Sequence, residues 1–345
     1  MKAFVYHGQR DGRLEEVPTP VPGPGQVKLR ITDAGICQTQ IDEFMEGPYI
    51  INRAPHPLTG KALPLIPGHE VGGIVEQLGP GVDTRWLGKQ VGFLPAKTCG
   101  DCRFCRAGEI ALCDQLAYFG LLGGDGGFAE YMVCDTNMIF ECSRRELLSY
   151  VEPLACSIHQ GNKIKRFGRS NNVLILGAGA LGVSAAAVFS KHFGFEVTIT
   201  DPLPNRLERC AKAGFITASR EQLRDRRFDV VVELAGSNHT NTEGAFIEAF
   251  DYLHKGGSLF LVGTYFHPLK LVPMASLIVP EKNVIPCFAY HQEDVDQLSA
   301  AMDAIKDIDF EIFNDYLPFE KILDEGYFRA EVDKDSFTRL VLRFE

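Results

Sequence analysis

The stretch Val173-Leu-Ile-Leu-Gly177-Ala-Gly179-Ala-Leu-Gly182 decides the fold of the second half of this 345-residue chain. Its four apolar residues predict a buried strand, and its three glycines have the spacing Gly-x-Gly-x-x-Gly directly before a helical run. The first glycine allows a tight turn, the second lets the backbone approach a pyrophosphate, and the third permits close packing of helix and strand. The helix N-terminus then offers its positive dipole end to phosphates. The stretch therefore predicts a dinucleotide-binding βαβ unit.

An acidic residue at the end of the next predicted strand indicates which dinucleotide binds. Asp201 lies nineteen residues after Gly182, where a carboxylate can accept both ribose hydroxyls of NAD and repel the extra phosphate of NADP. We therefore expect NAD, with NADP left open because Arg206 is nearby; the alternative is that Asp201 only caps the next helix. The candidate cofactor-binding residues in this half are Gly177, Gly179, Ala180, Leu181, Gly182, Asp201, Arg206, Val262 and Gly263.

The pattern of predicted secondary structure changes near residue 150. Before it, short β-branched runs with frequent Gly and Pro predict an all-β, barrel-like unit. After about residue 170, predicted strands (173–176, 196–200, 229–234, 258–262) alternate with predicted helices (181–193, 205–213, 241–254), which favours a doubly wound parallel sheet. We predict an α/β protein with a catalytic β domain over 1–150, a Rossmann domain over 151–288 and a C-terminal return to the first domain over 289–345.

Composition narrows the class of protein and its partners. The net charge of −10 and the lack of a Lys/Arg cluster argue against a nucleic-acid surface. No signal peptide opens the chain and no apolar run reaches the length of a membrane span, so we expect a cytoplasmic enzyme acting on a small molecule. Ten cysteines in a reducing compartment are expected to bind metals more than to form disulfides.

Four of these cysteines are closely spaced. Cys99, Cys102, Cys105 and Cys113 have the spacing Cys-x2-Cys-x2-Cys-x7-Cys. Four thiolates on one short loop can enclose a tetrahedral zinc and leave no open coordination position, so this site is expected to be structural. The alternative is a set of redox or disulfide cysteines.

A second, incomplete metal site is predicted from three separate segments. Gly-Ile-Cys37-Gln-Thr39 and Pro-Gly-His69-Glu70 supply a thiolate, an imidazole and a carboxylate, and Glu152-Pro-Leu-Ala-Cys156 offers one more carboxylate and thiolate. A catalytic zinc needs three protein ligands and one exchangeable position. Glu70 could instead support the site without ligating, and Glu152 and Cys156 compete for a place at the metal, directly or through water.

These motifs together resemble the zinc-dependent medium-chain alcohol dehydrogenases, whose order they follow over essentially the whole chain. The resemblance implies a GroES-like β domain that carries two zinc ions, a Rossmann domain for NAD(P), and a homodimer or homotetramer. Within that family the chain is similar to the sorbitol, glucose and 2,3-butanediol dehydrogenase branch, which implies Cys37, His69 and Glu70 at the metal, with Glu152 near it. The resemblance also implies that Arg339, on a C-terminal strand, reaches the cofactor pyrophosphate; the alternative is a solvated strand residue. The matching segments are Gly-Ile-Cys-x-Thr, Gly-His-Glu, the four-cysteine loop, Gly126-Gly-Phe-Ala-Glu-Tyr131, Glu152-Pro-Leu and Gly-x-Gly-x-x-Gly.

One residue departs from the family pattern. Gln40 stands where the family usually has an Asp that hydrogen-bonds the zinc-ligand histidine and fixes its tautomer. Gln40 can accept such a bond through its carbonyl but brings no charge, so His69 is expected to be a weaker donor to zinc. Asp42, two residues on, is a candidate substitute.

The parts predict hydride transfer from a secondary alcohol (a diol, polyol, cyclitol or sugar-like compound) to NAD, giving the ketone. The Thr39 hydroxyl is placed to relay the proton, unless it serves only as a helix cap. Two other functions are open: a zinc-free type of quinone or enoyl reductase of the same superfamily, and a non-catalytic NAD-binding scaffold protein. Cys37, His69 and the four-cysteine loop argue against the first, and Cys37, His69 and Thr39 together argue against the second.

Overall fold

A computed structural model describes residues 1–236, 245–266, 268, 274–333 and 336–344. The chain forms two compact units: unit 1 comprises Met1–Glu152, Asn314–Lys334 and Arg339–Glu345, and unit 2 comprises Pro153–Phe313 and Asp335–Thr338. The chain thus returns to unit 1 at Asn314, later than the predicted 289. One reason is a buried hydrogen bond of 2.9 Å between His159 Nδ1 and Asp294, which ties the segment after residue 289 to unit 2.

The chain contains the following strands and helices. The strands are β1 (Lys2–Gly8), β2 (Asp11–Glu16), β3 (Gln26–Gly35), β4 (Glu70–Leu78), β5 (Gln90–Phe93), β6 (Ala96–Lys97), β7 (Ala117–Tyr118), β8 (Tyr131–Asp135), β9 (Ile139–Glu141), β10 (Asn172–Leu176), β11 (Glu196–Thr200), β12 (Ile216–Thr217), β13 (Phe228–Glu233), β14 (Leu253–Leu261), β15 (Asn283–Pro286), β16 (Asn314–Pro318) and β17 (Arg339–Arg343). The helices are α1 (Gln38–Met45), α2 (Arg103–Arg106), α3 (Val151–Phe167), α4 (Ala180–Ala187), α5 (Pro204–Lys212), α6 (Arg220–Leu223), α7 (Phe246–Ala249), α8 (Ala275–Ile278), α9 (Gln292–Val295), α10 (Leu298–Ala304) and α11 (Phe328–Val332).

Unit 1 is built on a strongly paired β-sheet. Its strands follow the order β16-β17-β3-β4-β5-β9, and β8 also pairs with β3. Alternating buried and half-buried residues along β3 show one face turned to the core, as expected for an antiparallel sheet with one solvated side. Separate two-stranded pairs are formed by β1 with β2 and by β6 with β7.

Unit 2 is built on a parallel sheet of six strands in the order β12-β11-β10-β13-β14-β15. All of its strand pairs are parallel, and its central strands are apolar along almost their whole length because both faces are covered. The order of strands reverses beside β10, which places a ligand crevice at the carboxyl ends of β10 and its neighbours. The predicted α/β class, with a β domain and a doubly wound parallel sheet, agrees with these two sheets.

The predicted elements of unit 2 are close to those observed, with two differences. The helix predicted over 181–193 is α-helical only to Ala187 and then continues as one wider turn to His192. The helix predicted over 241–254 appears as α7, and β14 already begins at Leu253; residues 241–244 lie outside the described residues. Among the described residues, no helix combines the length and apolar character required to cross a membrane.

Candidate active site

The pairing of two strands brings the first metal-ligating residues together. Cys37 is the N-cap of α1, directly after β3, and His69 directly precedes β4, of which Glu70 is the first residue. In the antiparallel ladder Gly35, the last residue of β3, lies opposite Glu70. Two loops that are 32 positions apart in sequence (37 to 69) therefore leave the sheet at the same edge.

The donor atoms of this site fit a single metal ion. Among the described residues, Cys37 Sγ, a ring nitrogen of His69 and a carboxylate oxygen of Glu70 all lie within 4.8 Å of one another. His69 Nε2 is 4.0 Å from Glu70 Oε1, and both side chains are almost fully buried. A thiolate, an imidazole and a carboxylate suit zinc, and three protein ligands leave one position for an exchangeable oxygen.

Burial sets the protonation of two of these groups. It lowers the pKa of His69 to about 4, with Glu70 opposing this shift and Arg339 adding to it, so the ring is neutral at neutral pH and can ligate a metal. Burial, and then the charge of Glu70, hold the pKa of the Cys37 thiol well above its usual range. A divalent cation would reverse the second effect, because a ligating thiol binds as the thiolate and releases its proton to solvent.

A glycine-rich turn packs against the loop that contains His69. Gly68 has a φ of 103°, which only glycine adopts readily, and its carbonyl accepts the Gly127 amide hydrogen at 2.9 Å. A side chain at Gly120 or Gly126 would collide with that same carbonyl. Gly120, Gly126 and Gly127 therefore pack closely against the residue that precedes His69.

Arg339 lies beside the metal-ligand set. Its guanidinium Nη2 donates to Glu70 Oε2 at 2.5 Å and to the Ser149 carbonyl at 2.6 Å, and the group stacks 3.9 Å from the centroid of the Tyr150 ring. The side chain is 1% exposed, so it is not a solvated strand residue, and the buried Glu70 carboxylate needs a cation beside it. Its Nε and Nη1 atoms are buried without a hydrogen-bond partner among the described residues, and its reach to the cofactor pyrophosphate stays a prediction.

Glu152 lies next to the donor set and is held there by a residue that the sequence did not point to. Its Oε1 accepts a hydrogen bond of 2.5 Å from the Tyr118 hydroxyl, across 34 positions of sequence. The Tyr118 ring meets the His69 ring edge-on, with centroids 5.9 Å apart. Glu152 is not within the group formed by Cys37, His69 and Glu70 among the described residues, although its charge contributes to the raised pKa of Cys37. Cys156 is buried and belongs to unit 2, so its part at the metal stays a prediction.

The two groups expected to support His69 are engaged elsewhere. Gln40 Oε1 accepts the Cys37 amide hydrogen at 3.2 Å, and Asp42 Oδ1 accepts from the Gln38 side chain at 2.8 Å. His69 Nδ1 and Gln40 Nε2 are both buried without a hydrogen-bond partner among the described residues. The hydrogen bond that Gln40 could accept from His69 is thus not formed, since the Gln40 carbonyl accepts from the N-cap residue of α1 instead.

Thr39 is in the second position of α1 and half-buried, with its Oγ1 3.8 Å from Cys37 Sγ. Because the N-cap is Cys37, Thr39 is not the capping residue of this helix. The Thr39 hydroxyl therefore lies beside the Cys37 thiol of the donor set.

The four-cysteine lobe has the dimensions of a zinc site. The Sγ–Sγ distances are 3.5 Å for Cys102–Cys105, 3.6 Å for Cys113–Cys99 and 3.8 Å for Cys99–Cys105. A tetrahedron with ligands about 2.3 Å from zinc has edges of roughly 3.8 Å, whereas a disulfide requires about 2.05 Å. Backbone N–H groups lower the pKa of Cys102 to about 6, which favours the thiolate that ligates metal. The geometry fits zinc and not the disulfide alternative.

The nucleotide loop in unit 2 has the shape that its three glycines predict. Gly177 has a φ of 108°, and a side chain at Gly182 would collide with the Gly177 carbonyl. Gly179 is the N-cap of α4, so Ala180 and Leu181 present the first backbone N–H groups of that helix. This arrangement can hold a pyrophosphate.

Asp201 lines a cavity at the carboxyl ends of β10 and β11. Its Oδ2 accepts the Ala178 amide hydrogen at 2.7 Å, its Oδ1 accepts the Leu203 amide hydrogen at 2.9 Å, and Arg206 lies 3.7 Å away. Asp201 thus connects the glycine loop to the segment that precedes α5. The two hydrogen bonds use only part of the acceptor capacity of the Asp201 carboxylate. The cavity is also lined by Arg220 and Glu248, which pair at 2.9 Å.

A buried acid supports the remaining predicted cofactor residues. The backbone N–H groups of Val262 and Gly263 both donate to the Glu233 carbonyl, at 3.1 and 3.0 Å. The Glu233 carboxylate accepts from the backbone of Ala235 and Gly236 at 2.8 and 2.9 Å, and burial raises its pKa. The sequence marks Glu233 only as the end of a strand.

Both halves of the chain match models of known domains. Residues 23–144 match the alcohol dehydrogenase GroES-like domain, and residues 180–304 match the zinc-binding dehydrogenase domain.

Three similar proteins match between about three quarters and nearly all of this chain. The (R,R)-butanediol dehydrogenase of Neisseria gonorrhoeae is 27% identical over 99% of each chain, and the L-threonine 3-dehydrogenase of Xanthomonas axonopodis pv. citri is 30% identical over 76% of this chain and 77% of that protein. The crystal structure of 2R,3R-butanediol dehydrogenase from Bacillus subtilis shares the fold with a TM-score of 0.82, at 23% identity, over 99% of each chain.

Proposed function

We propose that this chain, which belongs to the zinc-dependent medium-chain alcohol dehydrogenase family, transfers a hydride between a secondary alcohol and NAD. The family matches and the relatives confirm the predicted resemblance and identify an oxidoreductase. In the oxidative direction the alcohol and NAD⁺ give the ketone, NADH and one proton. The observation that carries the proposal is the buried set of one thiolate, one imidazole and one carboxylate at Cys37, His69 and Glu70.

Two zinc ions per chain are part of the proposal. Cys37, His69 and Glu70 would hold one, and the lobe of Cys99, Cys102, Cys105 and Cys113 would hold the other. The zinc bound at Cys37 supplies Lewis acidity that lowers the pKa of the substrate hydroxyl. The lobe has no position left for substrate, so its ion would not take part in the chemistry.

The chain's own residues supply charge balance and a proton path. Arg339 offsets the negative charge of Glu70 in the interior. The Thr39 hydroxyl, 3.8 Å from Cys37 Sγ, receives the substrate proton and passes it toward solvent. Glu152 is placed to hold a water or a substrate hydroxyl beside the ligands.

NAD is the proposed cofactor, and it supplies the hydride acceptor. Gly177, Gly179 and Gly182 would hold its pyrophosphate, and the Asp201 carboxylate would accept its ribose hydroxyls. A 2′-phosphate would meet the Asp201 charge, which favours NAD over NADP, while Arg206 reduces that preference.

The proposed substrate is a small diol, polyol, cyclitol or sugar-like alcohol. Its support is the likeness to dehydrogenases named for butanediol and sorbitol. We further propose a homodimer or homotetramer. Its support is three exposed apolar side chains: Ile278 at the end of α8, Val279 directly after it, and Val284 on the edge strand β15 (68%, 80% and 39% exposed).

A substrate screen tests the proposal. The zinc-loaded protein is mixed with NAD or NADP and with diols, polyols, cyclitols, amino-alcohols and simple alcohols, and NADH formation is followed by absorbance. We expect NADH with at least one diol or polyol, and none with the Cys37→Ala variant. Failure of the wild-type protein with every alcohol overturns the proposal; NAD(P)H-dependent reduction of a quinone or enone by metal-free protein would favour the reductase alternative.

A further inference from the structure

Tyr118 lies where the four-cysteine lobe meets the predicted catalytic site. It is the last residue of β7, which pairs with β6, and the lobe occupies the chain between these two short strands. Its backbone is fixed at both ends: its amide donates to the Leu122 carbonyl at 2.7 Å, and its carbonyl accepts from Leu121 at 2.9 Å and Leu122 at 2.7 Å. The direction of the Tyr118 side chain is therefore set by the base of the lobe.

The side chain of Tyr118 contacts two site residues at once. Its hydroxyl donates to Glu152 Oε1 at 2.5 Å, and its ring lies edge-on to the His69 ring with centroids 5.9 Å apart. Tyr118 and Glu152 are each 7% exposed, so water does not compete freely for this hydrogen bond. A charge-assisted bond of this kind is stronger than a neutral one and fixes the rotation of the carboxyl group.

Glu152 needs such a partner because of its surroundings. It is in the first turn of α3, near Cys37, and Glu70 places a second carboxylate in the same site. Two buried carboxylates repel each other unless each is held by a donor or a cation. Glu70 has Arg339, and Tyr118 provides the corresponding donor for Glu152.

We infer that Tyr118 is a positioning residue that orients Glu152 beside the Cys37–His69–Glu70 ligands and mechanically connects the four-cysteine lobe to that site. This inference rests on the proposed dehydrogenase function. It assigns the lobe a role beyond stability. The lobe connects the paired strands β6 and β7, and β7 carries Tyr118, which hydrogen-bonds the Glu152 carboxylate.

A double-mutant cycle of Tyr118→Phe and Glu152→Gln tests the inference. Tyr118→Phe keeps the ring on His69 and removes only the hydroxyl. We expect kcat/KM to fall about tenfold with kcat affected more than KM, because outer partners of metal sites typically contribute 10- to 100-fold. In the Glu152→Gln background the same change should have a much smaller effect, because the amide oxygen accepts only a weaker, neutral hydrogen bond from the Tyr118 hydroxyl.

A second measurement does not depend on turnover. Cobalt is substituted for zinc, and the visible absorption bands of Tyr118→Phe, Glu152→Asp, the double variant and wild type are compared at constant metal content. We expect Tyr118→Phe and Glu152→Asp to shift the bands in the same way, and the double variant to match Glu152→Asp alone. The matched control is Tyr131→Phe, a half-buried tyrosine on β8 under the Lys28 ammonium, which should leave both readouts unchanged.

The outcomes separate the two proposals. Additive effects in the cycle, or Tyr118→Phe spectra and kinetics equal to those of wild type, overturn the role of Tyr118. A wild-type protein with no dehydrogenase activity overturns the proposed function, and the cobalt spectra still decide whether Tyr118 orients Glu152. If Tyr118→Phe fails to fold, the Glu152→Asp spectrum serves as the test, and a spectrum identical to wild type overturns the inference.

Discussion

Arg339 and Glu70 form a fully buried ion pair across 269 positions of sequence, with 2.5 Å between Nη2 and Oε2 and side-chain exposures of 1% and 6%. The pair joins the C-terminal strand β17 to the first residue of β4. Breaking one partner of such a pair leaves an uncompensated charge in the interior.

We expect Arg339→Met to lower the free energy of unfolding of the metal-free protein by about 3 to 5 kcal/mol, measured by urea unfolding. The matched control is Arg343→Met on the same strand, whose guanidinium is 39% exposed and whose partner Asp33 keeps Arg145 at 3.5 Å. That change should cost less than about 1 kcal/mol. Equal losses in the two variants would contradict the importance of the buried pair.

The two predicted metal sites share no ligand, which makes metal counting informative. Cys37→Ser and Cys113→Ser should each remove about one zinc per chain from a wild-type content of about two. The control, Cys287→Ala, replaces a buried cysteine outside both groups and should keep both ions. A Cys113→Ser protein that retains two zinc ions would contradict the four-cysteine site.

The pKa of His69 predicts a pH dependence for the metal-free protein. The ring titrates near 6.5 in an unfolded chain and near 4 in the folded protein, because burial penalises its charged form. Between these values the unfolded chain binds a proton that the folded protein does not, so stability falls as pH is lowered from 6.5 to 4. We expect a loss of about 3 kcal/mol that is absent from His69→Gln, measured by urea unfolding at several pH values. Parallel curves for the two proteins would contradict it.

The sequence predicts the local motifs of the site better than the side-chain contacts that join distant segments. Cys37, the Gly68-His69-Glu70 turn and the four-cysteine loop are recognisable because each lies in a short local motif of the sequence. The fold class follows from the glycine loop and the strand–helix alternation. The partners of these groups do not follow, because Arg339–Glu70 and Tyr118–Glu152 depend on chain segments that meet only in the folded protein.

Asp201 should control the choice of dinucleotide. Asp201→Asn keeps one oxygen that can accept an amide hydrogen from Ala178 or Leu203, but it removes the charge that repels a 2′-phosphate. We expect the ratio of the NADPH to the NADH dissociation constant to fall about tenfold, which corresponds to about 1.4 kcal/mol, by fluorescence titration. Arg206→Gln should change the ratio in the opposite direction, because it removes a nearby cation. An unchanged ratio in both variants would place the discrimination elsewhere.

Gln40 gives a test of how charge near Cys37 controls metal binding. Its Oε1 accepts the Cys37 amide hydrogen at 3.2 Å, so a charge on residue 40 acts on the metal at close range and in a buried setting. Gln40→Glu keeps the length and one acceptor, and replaces the unpartnered Nε2 donor by a second oxygen. We expect zinc affinity to rise about tenfold, by chelator competition, and the stability of the metal-free protein to fall by about 1 to 3 kcal/mol, since the new charge is unpaired without metal.

The control for this last change is Gln40→Met, which has similar length but removes the acceptor without adding charge. It should leave zinc affinity equal or lower, because only the hydrogen bond to the Cys37 amide is lost. Equal affinities for Gln40→Glu and Gln40→Met would show that charge at this position does not act on the metal. A rise with Gln40→Glu alone would show that the neutral residue found here weakens the metal site relative to the aspartate usual in the family.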